Sequence, residues 1–74
     1  MTKLPVVSAR EAVKAFEQLG CEVDHQTGSH VILRQTEAPH RRLTVPNHAE
    51  LAKGTLRSLI REAGISVAEF CDLL

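Results

Sequence analysis

The sequence has no tryptophan, no tyrosine and only two phenylalanines. Both, Phe16 and Phe70, stand at core-like positions, so stacking of ligand bases on aromatic side chains is not a basis for recognition. Cysteine is scarce. Cys21 and Cys71 lie far apart and match no metal-ligand or redox spacing. Both read as buried thiols in a reducing compartment, with no reason to pair them. No apolar run approaches the roughly 20 residues a membrane-spanning helix needs. The first residues lack the apolar core of a signal peptide, and a cytoplasmic location is expected. Four glycines and three prolines are too few for a low-complexity or disordered chain.

Net charge is absent as well, with nine Lys and Arg against nine Asp and Glu. The balance conceals an asymmetry. Residues 26–61 carry six basic side chains (Arg34, Arg41, Arg42, Lys53, Arg57, Arg61) against Glu37 and Glu50, and the remainder carries the compensating acids. A basic middle suits an anionic ligand on one face, although charge alone is equally satisfied by solvation. The 74 residues are 43% hydrophobic, an ordinary globular composition, and are expected to form one domain, 1–74. A domain this small buries only roughly 60% of its unfolded surface, so a partner covering apolar surface would stabilise it.

Ser8-Ala9-Arg10-Glu11 is a capping box. Ala9, Ala12, Val13, Phe16 and Leu19 then share a helical face, and Gly20 ends the helix. Cys21 to His25 alternates as a half-buried strand. Gln26-Thr27-Gly28 makes a turn, and Ser29 to Gln35 forms a second strand. One face of that strand would carry Ser29, Val31 and Leu33, the other His30, Ile32 and Arg34. A loop containing Pro39 leads to a third strand over 41–45, which Pro46 ends. After a loop over 47–52, Gly54-Thr55 opens a second helix, with Thr55 as N-cap or just inside it. Leu56, Leu59, Ile60 and Ala63 form its stripe and Gly64 stops it. Ser66-Val67-Ala68-Glu69 is another capping box, starting a short helix that buries Phe70 and one or both terminal leucines. The order α-β-β-β-α-α, with short connections, predicts an α+β fold: a three-stranded antiparallel sheet with helices on one face.

Gly28-Ser29-His30 is the most informative tripeptide. A strand histidine usually just makes local hydrogen bonds. Placed after a tight turn, however, an imidazole with a free pKa of about 6.5 can take or give a proton at neutral pH. Gly28 admits close approach of a polyanion, and neighbouring N–H groups can bind phosphate oxygens. RNA suits this equipment because its own 2′-OH is the nucleophile. Lys53, Arg57 and Arg61, at i, i+4 and i+8, line one side of the second helix as a phosphate-contacting ridge or a solvated face. Amides at that helix's start can also face a phosphate. His48 is a further candidate for substrate contact. His25, His30, His40 and His48 show no ligand spacing, so no metal site is expected. Catalytic carboxylate pairs, a Ser/His/Asp set and a nucleotide-binding glycine loop are not evident.

Leu4-Pro5, Leu19-Gly20, Gly28-Ser29-His30, Val45-Pro46 with His48, and Lys53-Gly54-Thr55-Leu56 running to Leu59-Ile60 occur in an order and spacing that resemble the HicA family. These are the small RNA-cleaving toxins of bacterial type II toxin–antitoxin systems. The resemblance runs from Leu4 to Phe70. It implies a double-stranded-RNA-binding-domain-like fold, ribosome-independent mRNA cleavage with His30 as catalytic histidine, and neutralisation by a HicB-type antitoxin; because RNA brings its own nucleophile, no cofactor is expected. The chain departs from the family pattern at Cys21, where many members have an aromatic residue, and at His25, where many have arginine.

The expected function is therefore an mRNA interferase, an endoribonuclease with His30 as general base. Gly28, Ser29, Arg34, Lys53, Arg57 and Arg61 would contact RNA. The alternative is a module of the same fold that binds structured RNA without cutting it. A third reading is a protein-interaction domain in which His30 is only structural; it predicts no salt-dependent RNA affinity.

Overall fold

A computed structural model describes residues 3–74; the first two residues of the expected domain lie outside the described residues. The order is α1 (Ala9–Gln18), β1 (Cys21–Gln26), β2 (His30–Gln35), β3 (Arg42–Pro46), α2 (Lys53–Ala63) and α3 (Val67–Asp72). The strands form one antiparallel sheet in the order β1-β2-β3. This is the predicted α+β layout.

Both capping boxes are present: the Ser8 and Ser66 side chains accept from the Glu11 and Glu69 amides, and each glutamate reaches back. Gly20 (φ 95°) and Gly64 (φ 78°) take the left-handed conformation that lets a chain leave a helix cheaply. α2 differs from the expectation. It starts at Lys53, with Ala52 as N-cap and no side-chain cap. Thr55 is thus the third helical residue rather than the cap, because the chain is already helical two residues before it.

Alternation along β2 and β3 buries Val31, Leu33, Leu43 and Val45 on one face. That face joins Ala12, Ala15 and Phe16 of α1, Leu56, Leu59 and Ile60 of α2, and Phe70 of α3 in one apolar cluster. The Phe16 and Phe70 rings are 5.3 Å apart. Three alanines on the buried side of α1 let its backbone approach the sheet closely. Ala15 is buried where the sequence pattern placed Leu19, which caps the helix and is exposed.

β1 departs most from its predicted character. Only Cys21 is buried, and Val23 is exposed on the helix side, where it lines an open cleft with Val13 and Glu17 of α1. Val23 pairs with Leu33 and His25 with Ile32, so Asp24 is an extra residue, a β-bulge. Both cysteines are free thiols. Cys21 is buried as expected, but Cys71 is only half-buried. Leu73 is half-buried and Leu74 exposed, so at most one terminal leucine joins the core. No helix among the described residues is long and apolar enough to cross a membrane.

Candidate nucleic-acid interface

Gly28, Ser29 and His30 meet at the tip of the β1–β2 hairpin, and Thr27 holds that tip. Its amide donates to the His30 carbonyl at 2.8 Å. Its Oγ1 accepts from the His30 amide at 3.0 Å and from the Ser29 amide at 3.3 Å. The opposite wall is the end of β3: His30 pairs with Pro46, and the Asn47 amide donates to the Ser29 carbonyl at 2.8 Å. The backbone of His30 is therefore fixed from both neighbouring strands, while its side chain is exposed. Ser29 Oγ lies 2.9 Å from His30 Nδ1. When Nδ1 carries the proton, Ser29 accepts it and Nε2 keeps its lone pair toward solvent.

Two expectations about this turn change. Thr27 already occupies the Ser29 and His30 amides, so they are not available to phosphate; among the described residues, the Gly28 N–H is the turn amide without a partner. Ser29 sits in the turn rather than in β2. Sequence reading missed Thr27 as the anchor. Its signal was present, since a hydroxyl residue at a hairpin tip commonly bonds the amides that follow it.

His30, Ile32 and Arg34 share the sheet face that no helix covers. Arg34 stands directly opposite Arg42 on β3, a second basic residue that sequence reading did not single out. It became visible only through register. Facing like charges repel, and Glu22 compensates with its carboxylate 3.6 Å from Arg34 Nη2. Four residues along a strand span about 13 Å, so Arg34 and Arg42 do not adjoin a phosphate held at His30. They can reach a neighbouring one.

The bulge places two adjacent side chains together. His25 Nδ1 lies 2.9 Å from Asp24 Oδ2. The hydrogen bond from His25 draws the Asp24 carboxyl below its ordinary range against the cost of desolvation, with the charges of Arg42, His25 and Arg34 helping.

Lys53, Arg57 and Arg61 are all exposed on α2. Thr55, Ser58 and Glu62 face Arg42 and Thr44 across a cleft at the β3 edge. On a helical wheel the three cations fall on the opposite flank of the buried stripe. The ridge thus belongs to the helical layer, apart from the open sheet face. The helix opens without a side-chain cap or an acid in its first turn, which leaves its first amides unopposed. His48 is exposed in the loop after β3, where its carbonyl accepts from the Ala9 amide at 3.0 Å and its amide donates to Pro46 at 2.8 Å. Its backbone joins the turn end of the sheet to the start of α1.

A family model described as the HicA toxin of bacterial toxin–antitoxin systems matches residues 9–65. The chain belongs to the HicA toxin family. The matched span covers α1, the whole sheet and α2, and so includes every residue of the hairpin tip. Among curated proteins, none matches the chain by sequence. As a HicA-family protein it is the toxin of a bacterial toxin–antitoxin pair, and toxins of this family are in general ribonucleases.

Proposed function

We propose that this HicA-family toxin is an mRNA interferase in which His30 is the general base. The observation that carries the reading is an exposed imidazole on a backbone fixed from both sides. Thr27 holds its amide, Ser29 holds Nδ1, and Nε2 is left to solvent. Such a group can remove the proton from a 2′-OH, whose oxygen then attacks the adjacent phosphorus. No protein nucleophile is required. Fixing the base in advance lowers the entropic cost of reaching an attack geometry, and a positioned base is typically worth 10²–10⁴ in rate.

In this reading the Gly28 amide meets a non-bridging oxygen of the scissile phosphate, with the Ser29 hydroxyl beside it. Arg34, with Arg42, holds a flanking phosphate on the same sheet face. Lys53, Arg57 and Arg61 contact a more distant part of a folded RNA, and His48 touches substrate from the loop beside the tip. A HicB-type antitoxin lying over the hairpin tip would block the base and bury exposed surface, raising thermal stability by mass action.

Cleavage of end-labelled RNA in EDTA, wild type against His30→Ala, tests the reading. Cleavage by wild type alone, leaving 2′,3′-cyclic phosphate ends, supports it. Binding without cleavage by either protein returns the structured-RNA-binding module, which the same basic face would serve.

A further inference from the structure

His25 is a second exposed imidazole on the open sheet face, brought there by the bulge. In a regular strand Asp24 and His25 would point to opposite faces. With Asp24 inserted as an extra residue, the two side chains meet at 2.9 Å. A carboxylate only accepts, so His25 Nδ1 is the donor and its Nε2 is the free atom. Bulges commonly re-aim a side chain beside an active site.

The register then sets the distance to His30. His25 is opposite Ile32, and His30 is two residues before Ile32 on the same face. His25 and His30 are therefore diagonal neighbours across the hairpin, about 7–8 Å apart at the backbone and closer at the side chains. One phosphodiester flanked by two hydrogen bonds of about 3 Å each fits between such groups.

We propose that His25 is the general acid of the cleavage step, with Asp24 as its positioning residue and His30 as the opposing base. The inference rests on the nuclease reading above. His30 Nε2 takes the 2′-OH proton as the O2′–P bond forms. The P–O5′ bond breaks, and His25 Nε2–H gives its proton to the departing O5′. The products are a 2′,3′-cyclic phosphate and a 5′-OH. His30 ends protonated and His25 neutral, and exchange with solvent restores both. Asp24 neutralises the cationic form of His25 while the acid waits. The other charged groups facing this pair are Glu22 on β1, Arg34 on β2 and Arg42 on β3.

The test uses the full chain and two versions of one RNA, ordinary and with sulfur replacing O5′ at the bond that wild type cuts. A thiolate leaves without a proton. His25→Ala is expected to cut ordinary RNA about 10²-fold more slowly, to regain near wild-type rate on the sulfur-bridged RNA, and to lose the alkaline limb of its pH–rate profile. Asp24→Asn is expected to show a smaller defect with the same rescue. His30→Ala is rescued on neither substrate. Thermal melting should be unchanged in the His25 variant, whose side chain is more than half exposed. Wild-type rates for His25→Ala on ordinary RNA, or equal defects on both RNAs, overturn the inference while leaving His30 as base. Absence of cleavage by wild type itself overturns the nuclease reading and this inference with it.

Discussion

The hairpin tip and the outer flank of α2 both present groups suited to phosphate, yet they are built differently. At the tip, four hydrogen bonds with Thr27 and Ser29 hold His30 in one place. On α2, among the described residues, Lys53, Arg57 and Arg61 make no ion pair. Long unpaired cations keep their rotamer freedom and suit loose contact with a polyanion. A fixed short side chain suits proton transfer, where small displacements are costly. The difference separates a place for chemistry from a place for adhesion, and each of the following experiments acts on one of the two.

The largest effect is expected at His30 itself. His30→Ala should lower cleavage by 10²–10⁴-fold and leave RNA affinity and melting temperature near wild type, because the side chain is exposed. Rate and affinity are read separately, by single-turnover cleavage and by filter binding. A fall confined to affinity would erase the distinction between the two surfaces.

Thr27→Val comes next. It keeps the shape of the side chain and removes the oxygen that holds the Ser29 and His30 amides. Cleavage should fall about tenfold and stability by about 1 kcal/mol, the net worth of a typical hydrogen bond. A denaturant titration gives the second number. A variant with intact activity would mean that the strands alone position His30.

How much of this could be read from the sequence depends on the range of the interaction. Both capping boxes, the two helix-ending glycines and the alternation of β3 involve neighbours within about four positions, and all were legible, whereas the apolar run Val31-Ile32-Leu33 hid which face of β2 is buried. The start of α2 was not, because its N-cap is Ala52, a residue without a capping side chain. β1 misled for a different reason. Its apolar-polar alternation is real, but a bulge and an open cleft between the strand and α1 leave all but Cys21 exposed. At the site, Gly28-Ser29-His30 was visible as a motif. The Arg34–Arg42 pairing needed the register of β2 against β3, and the Asp24–His25 contact needed the bulge. The α2 ridge was correctly read as one helical side, yet its separation from His30 lies in the layering of the fold.

That separation can be sharpened with charge. Replacing Arg34 and Arg42 together by alanine should slow cleavage of a short single-stranded RNA several-fold. Replacing Lys53, Arg57 and Arg61 together should scarcely affect the short RNA and should weaken binding of a long folded one. Each lost phosphate contact removes about 0.7–0.9 from the slope of log affinity against log salt. Equal effects of both sets on the short RNA would show that one strand crosses both surfaces.

The smallest effect concerns the Asp24–His25 contact at the bulge. Asp24 has its carboxyl held below the ordinary value of 3.8, chiefly by the hydrogen bond from His25. A carboxyl depressed in the folded state stabilises the fold above its unfolded pKa, and that contribution disappears as pH falls through the lower folded value. Wild type should therefore lose slightly more stability than Asp24→Asn between pH 5 and strongly acid solution, as read by melting temperature at stepped pH. Because both residues are exposed, solvent screens the contact and the difference should be small. Its smallness is informative. If the two proteins differ little in stability while the variant cleaves RNA more slowly, the Asp24–His25 contact contributes to chemistry at the tip rather than to holding β1 in the sheet. A large stability difference with unchanged cleavage would assign the bulge to the fold, and would leave His30 alone on the face where the two histidines meet.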